Sequence, residues 1–235
     1  MEKDRKRIWI SIIIPVCNVK AYLRKCIQSI TSQGDFGGRY EIILVDDGSS
    51  DGSGQICDAF GQRYSFIRVL HQENAGLGAA RNAGIRAAAG AYLLFVDADD
   101  FIGRGSLARI FRELERGTAD LYFLDSYKYF GKGRLQAMND ARLQRVNALG
   151  KSGCMKLFGA LSKYPGSACD KLVRRSLVMR HGIWFEEGVL GEDLVWVLKC
   201  LVYAGSYRYI RADYYYYRQN RSGSITSRLD AVRFA

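Results

Sequence analysis

From Ile8 to Val96 short apolar runs alternate with stretches of helical period, and this order of strand, helix, strand, helix, strand, helix, strand restricts the fold more than any other feature. Ile10 to Pro15, Tyr40 to Asp46, Phe66 to Leu70 and Tyr92 to Asp97 read as strands, and their nearly unbroken apolar character suits a parallel sheet buried on both faces. Between them Leu23, Cys26, Ile27 and Ile30 recur at helical spacing, as do Ile56, Ala59, Phe60 and Tyr64, while Leu77 to Ala89 is Ala-rich and helical by propensity. The pattern predicts an α/β fold, a mostly parallel sheet flanked by helices and built from βαβ units. Leu107, Ile110, Phe111 and Leu114 mark a further helix, and Leu121 to Phe130 a further strand. The regularity then ends. Gly131 to Arg145 is polar and glycine-flanked, which predicts a mobile loop, and Tyr207 to Ile210 and Tyr214 to Tyr217 read as two short aromatic strands. Glu192-Asp193 opens a helix whose expected apolar face is Leu194, Val197, Leu198 and Leu201. One globular domain with two halves, 1–102 and 103–235, is the expected organisation.

A chain of 235 residues can bury a substantial core. Its formal charge of +11 is unevenly placed: residues 1–100 carry 12 Lys+Arg and 12 Asp+Glu, whereas residues 101–235 carry 23 and 12. Such a basic half suits nucleic acid, an anionic membrane surface or a phosphorylated substrate, and equally an ordinary solvated surface. Met1 to Arg7 is too charged for a signal peptide, and the longest nearly apolar stretch, Ala83 to Val96, contains Arg86 and is shorter than the roughly 20 residues of a spanning helix. The six cysteines form no CxxC pair and the only histidines are His71 and His181, so reduced buried thiols in a cytoplasmic protein are expected rather than zinc. Ala235 follows what reads as another helix start, so the natural chain is expected to continue.

Three acidic groups stand at element ends: Asp46-Asp47, Asp97-Ala98-Asp99-Asp100 and Glu192-Asp193. In open α/β sheets ligands bind beyond the carboxyl ends of the strands, and carboxylates gathered there repel one another unless a cation or a donor-rich ligand joins them. Gly48 to Ser53 makes a good turn and helix cap on its own, but two adjacent aspartates at a strand end call for more. A carboxylate there accepts the ring N–H of uracil, thymine or guanine, which adenine and cytosine lack. Asp97 and Asp99, two apart on an extended segment, share a face and offer Mg²⁺ or Mn²⁺ the hard oxygen ligands it takes beside phosphate and water. Gly76 and Gly78 do not make a dinucleotide fingerprint, because Arg81 stands where the third glycine belongs. An arginine in the first turns of a helix instead suggests a grip on phosphate or on the surrounding carboxylates.

Ser11 to Asn18, Val45 to Ser53, Asn74 to Gly84 and Phe95 to Asp100, in this order and spacing, resemble family 2 of the glycosyltransferases. Asp170 to Ser176, Gly191-Glu192-Asp193 and Tyr217-Arg218 to Ser224-Ile225 are similar to its bacterial surface-polysaccharide members. The resemblance implies a GT-A fold, with residues 1–102 as the nucleotide-sugar-binding half and 103–235 as a smaller mixed acceptor-binding half. It implies Pro15 and the Asp46-Asp47 pair at the nucleotide site with Asp47 on the base, Arg81 near the uracil and phosphates, and Asp97 at the ribose or metal-bound water. It further implies Asp99 on the Mn²⁺ or Mg²⁺ that bridges the diphosphate, Arg218, Arg221 and Ser224 on the diphosphate from a closing loop, and Asp193 as catalytic base. The implied reaction is an inverting transfer from a nucleotide sugar, expected to be a UDP-sugar, to a saccharide or lipid-linked acceptor. A peripheral contact with the inner face of the membrane goes with such an acceptor, and no nucleic acid is expected.

Local explanations compete with these roles. Asp193 in the first turn of a helix would also match the helix dipole. A haloacid-dehalogenase-type phosphatase would use Asp97 and Asp99 but expects Thr or Val at Asp100 and leaves Asp46-Asp47 unexplained. A nucleic-acid-binding protein would draw on the charge and on Tyr214 to Tyr217, yet these tyrosines alternate across a strand as packing residues do.

Overall fold

The computed structural model describes residues 8–219. In chain order the elements are β1 (Ile10–Val16), α1 (Lys20–Thr31), β2 (Tyr40–Asp47), α2 (Ser53–Arg63), β3 (Ile67–Gln72), α3 (Leu77–Ala87), β4 (Tyr92–Phe95), β5 (Phe101–Ile102) and α4 (Ser106–Arg116). There follow β6 (Leu121–Tyr129), β7 (Leu135–Ala137), a 3₁₀ helix (Ala141–Ala148), α5 (Lys151–Ala160), β8 (Lys171–Arg174), α6 (Arg175–Arg180), α7 (Glu192–Tyr203) and β9 (Tyr207–Arg218). The strands form one nine-stranded sheet in the order β3-β2-β1-β4-β8-β6-β9-β5, with β7 attached to β6. β3, β2, β1 and β4 are mutually parallel, as the apolar runs predict. The second half is mixed: β8 runs antiparallel to β4 and β6, β5 antiparallel to β9, and β9 parallel to β6.

Every residue of β1 and β2 is buried, so helices cover both faces of these strands. α1 buries Leu23, Cys26, Ile27 and Ile30, and α4 buries Leu107, Ile110, Phe111 and Leu114, the stripes read from their spacing. α3 packs tightly against the sheet at Gly84. A Cβ on Gly84 would stand 2.3 Å from Ile13 Cγ2, so only glycine lets the helix approach β1 this closely. β2 and β4 flank β1 in the order β2-β1-β4, which puts the topological switch point beside the carboxyl end of β1.

Four expectations need correction. Gly131 to Arg145 is not a loose loop. Gly131, Lys132 and Gly133 all take positive φ and close a hairpin in which β7 pairs with β6, and the 3₁₀ helix buries Leu143 and Val146. The two aromatic strands are one: the Asp125 carboxylate accepts the N–H groups of Ala212 at 2.9 Å and Asp213 at 3.0 Å, and this polar bulge carries β9 through what reads as a break. On α7 the buried stripe is Trp196, Val197, Cys200 and Leu201, while Leu194 and Leu198 are exposed. Trp196 stacks on Phe185 with centroids 4.7 Å apart and meets Phe95 edge-on at 5.3 Å, and one buried indole turns the helix away from two leucines. Asp97 and Asp99 sit on a turn closed by Asp100 N–H to the Asp97 carbonyl at 3.0 Å, because β4 ends at Phe95.

Candidate active site

The ends of β1, β2 and β4 open on a cleft of about 610 Å³, closed on the far side by residues 188–193 and by Tyr217. Pro15, Asp47, Arg81, Asp97, Asp99 and Asp193 all line it. Asp46 does not. Its side chain points between β2, β3 and α2, where Oδ1 accepts the Ser49 N–H at 3.2 Å and Oδ2 meets His71 Nδ1 at 2.9 Å. The adjacent aspartates therefore divide the work: Asp46 holds the turn and Asp47 faces the cleft, as successive strand residues must.

Asp47 is 2% exposed. Its Oδ1 accepts from Ala75 N–H and Gln72 Nε2, both at 2.8 Å, and its Oδ2 from Gly76 N–H at 2.9 Å. Gly76 takes φ +90°, a positive-φ conformation open to glycine, and its N–H donates back to the strand end. A carboxylate has about four lone-pair sites, so three donors leave room for one ring N–H. Cys17 lies beside it, its Sγ accepting from Asn74 Nδ2 at 3.2 Å.

Arg81 is the centre of the acidic cluster. Its side chain is 1% exposed, and Nη1 donates to Glu192 Oε1 at 2.6 Å and to Asp193 Oδ1, while Nη2 donates to Asp97 Oδ1 at 2.9 Å. The Phe185 ring lies 5.1 Å from the guanidinium carbon. Of the two grips its sequence position suggests, the one on carboxylates is realised, and the donor that joins the gathered carboxylates is a side chain of the protein itself. A buried guanidinium needs such partners, because without them its charge would be stranded in the interior. Asp193 does not cap its own helix. It reaches outward, with Oδ2 accepting the Ala168 N–H at 3.0 Å. Burial pushes its carboxyl above the usual aspartate range, Arg81 pulls it back, Asp97 raises it, and the Ala168 N–H opposes the rise.

Asp100 stands apart from Asp97 and Asp99. Fully buried, it accepts the Arg218 N–H at 2.7 Å and bonds the Tyr215 hydroxyl, fixing the end of β9, and burial followed by the charges of Asp99 and Asp97 pushes it up to about 8. Arg218 ends a strand rather than riding a loop. Its Nε donates to the Asp99 carbonyl at 2.9 Å and its guanidinium lies over Tyr22 and Phe101. Arg221 and Ser224 lie outside the described residues. Glu192, whose only sequence signal is its place beside Asp193, proves to be an Arg81 partner, and the Ala168 backbone donor carries no sequence signal at all.

Among the described residues no three of His, Cys, Asp or Glu form a cage for a metal ion. Asp97 and Asp99 line the cleft nonetheless. Two hard carboxylates without a cage fit a Mg²⁺ or Mn²⁺ that takes its remaining ligands from phosphate and water. No helix among the described residues is long and apolar enough to cross a membrane.

Residues 11–182 match the model of Glycosyl transferase family 2. The chain is 32% identical over 214 residues to the uncharacterized glycosyltransferase EpsJ of Bacillus subtilis (strain 168), covering 90% of this chain and 61% of that protein. Among solved structures it resembles S. aureus TarS 1–349 in complex with UDP-GlcNAc, with TM-score 0.76 and 24% identity over 94% of this chain and 61% of that one. It also resembles the mannosyltransferase PcManGT of Pyrobaculum calidifontis in complex with GDP-Man and Mn²⁺, with TM-score 0.66 and 16% identity over 97% of this chain and 62% of that one. The two structures share the fold, a GT-A fold, and the chain spans about three fifths of the length of each of these proteins.

Proposed function

This chain belongs to glycosyl transferase family 2, and from that premise we propose that it moves a sugar, with inversion, from a nucleoside-diphosphate sugar to a hydroxyl of a saccharide or lipid-linked acceptor in surface-polysaccharide assembly. The observation that carries this reading is the cleft at the switch point, where Asp47 keeps an acceptor site for a base and Arg81 gathers Asp97 and Asp193. Uracil and guanine both supply the ring N–H that Asp47 would accept. A UDP-sugar is the donor we assign, supported by the likeness to a UDP-GlcNAc-bound fold.

In the proposed reaction the acceptor oxygen attacks the anomeric carbon as the bond from that carbon to the diphosphate oxygen breaks on the opposite face. The acceptor proton passes to Asp193, and the nucleoside diphosphate leaves with the bonding pair. Arg81 on Oδ1 and Ala168 N–H on Oδ2 favour the ionised form of Asp193 that accepts a proton. Asp99, with Asp97 beside it, would hold a divalent cation, which when bound neutralises charge growing on the diphosphate. Residues 1–102 act as the nucleotide half. Asp193 and Tyr217 reach the same cleft from residues 103–235, the acceptor half. The basic excess of that half seats the enzyme peripherally on an anionic membrane surface.

Release of nucleoside diphosphate from a panel of nucleotide sugars, together with titration of UDP with and without Mn²⁺, tests the proposal. UDP is expected to bind more tightly with Mn²⁺, and Asp99→Asn to remove that gain. Failure to bind any nucleoside diphosphate would sink the reading, and an unchanged Mn²⁺ gain in Asp99→Asn would sink the metal assignment.

A further inference from the structure

Behind the cleft, the turn from Ser167 to Lys171 contains a charge for which the reaction above has no use. Lys171 is 0% exposed. An ammonium taken so completely out of water carries a large desolvation penalty, so what its donors do matters. Nζ pairs with the Asp170 carboxylate, donates to the Ser167 carbonyl oxygen at 2.9 Å and lies 5.4 Å from the centre of the Phe123 ring. Asp170 is anchored in turn, its Oδ2 accepting from Ser126 Oγ at 3.0 Å and Asn139 Nδ2 at 3.2 Å. The turn is closed by Lys171 N–H to the Ala168 carbonyl at 3.2 Å.

The Ser167 carbonyl and the Ala168 N–H are the two ends of one planar peptide group. A cation sits on its oxygen end, and its N–H end donates to Asp193 Oδ2. A positive charge at the oxygen withdraws electrons through the amide, so the N–H becomes a stronger donor, and the same contact fixes the direction in which it points. The other groups around Asp193 are Arg81 from α3, Asp97 from the turn after β4 and Glu192 from its own helix. Arg81 holds Oδ1 and Ala168 holds Oδ2, so loosening the second bond leaves the carboxylate to swing about the first.

We propose that Lys171 is a positioning residue for Asp193: acting through the single peptide between Ser167 and Ala168, it fixes the donor that sets the carboxylate toward the acceptor hydroxyl. The proposal rests on Asp193 being the base. It differs from a general stabilising role in one respect, because its effect must vanish when Asp193 has no proton to take.

The test is a double-mutant cycle on the full chain, reading nucleoside diphosphate release from the nucleotide sugar that the panel identifies and UDP affinity by calorimetry. Lys171→Met is expected to lower turnover on the order of 10-fold to 100-fold, the scale of a slight misplacement of a reacting group. UDP affinity should stay within about 2-fold, because Lys171 does not line the cleft. In an Asp193→Asn background the same change should cost less than about 3-fold. Equal losses in both backgrounds, or unchanged turnover in Lys171→Met, overturn the proposal. If Lys171→Met does not fold, Asp170→Asn/Lys171→Met removes both charges together and is read in the same two backgrounds by the same criteria. A fully active Asp193→Asn enzyme overturns the base assignment instead, on a variant in which Lys171 is untouched.

Discussion

Asp46 and Asp47 are neighbours of one residue type at one strand end, and they make opposite predictions. Asp47→Ala removes the acceptor of the base ring N–H and of two backbone donors, so UDP should lose more affinity than inorganic diphosphate in calorimetric titration. Asp46→Ala leaves the cleft lining intact but strips the turn at Ser49 and the contact with His71, so it should lower the melting temperature while UDP affinity holds. A loss of UDP affinity in Asp46→Ala equal to that in Asp47→Ala would reject this division. Asp193→Asn keeps the shape of the side chain but cannot accept a proton, so donor affinity should survive while turnover falls on the order of 10² to 10⁴. If Asp193 only matched the helix dipole, the change would cost a fraction of a kcal/mol in stability, on the order of 0.3–1 kcal/mol, and leave turnover intact. The sequence marks the five acidic residues that line the cleft, Asp47, Asp97, Asp99, Glu192 and Asp193, but it does not show that Arg81 joins three of them from two distant parts of the chain. Glu192 and Asp193 lie more than a hundred residues from Arg81, and only the tertiary fold makes them its partners.

At the scale of elements, what the sequence makes legible is what local periodicity determines. α1 and α4 bury the residues their spacing names, because each helix faces the sheet with one stripe. α7 departs because several apolar residues surround it, and period alone does not decide which of them face inward. Trp196, stacked on Phe185, decides it. The Asp213 bulge and the Gly131-Lys132-Gly133 hairpin are likewise settled by contacts with β6 rather than by composition. α3 gives the sharpest prediction at this scale. Gly84→Ala places a methyl 2.3 Å from Ile13 Cγ2, on a branch fixed to the strand, so helix and sheet must separate before the two carbons reach ordinary van der Waals contact. Overpacking of this kind costs about 1–3 kcal/mol, readable as a lower urea midpoint with an unchanged slope. Arg81 lies one turn away on the same helix, so turnover should fall as well. An unshifted midpoint would show that α3 does not depend on this close approach.

Across the whole molecule, charge and apolar surface are distributed unequally. The chain carries +11, and the excess lies in residues 101–235, the part that supplies Asp193 and Tyr217 to the cleft. On α7 the outward residues Leu194, Leu198 and Val202 are 53%, 49% and 46% exposed, and Val189 and Leu190 at the cleft rim are exposed too. Basic residues attract an anionic bilayer at about 1 kcal/mol per well-placed Lys or Arg, and this attraction decays within a Debye length. Apolar side chains at a membrane interface would add a component that salt does not screen. Co-sedimentation with vesicles containing phosphatidylglycerol should therefore exceed that with neutral phosphatidylcholine vesicles and fall steeply as salt rises. Leu194→Ser/Leu198→Ser then separates the two contributions. A lower residual binding at high salt would place the α7 face at the bilayer, whereas an unchanged residual would leave the contact to charge alone. Equal partition of the unaltered chain onto neutral and anionic vesicles would reject the membrane contact and assign the basic surface to solvent.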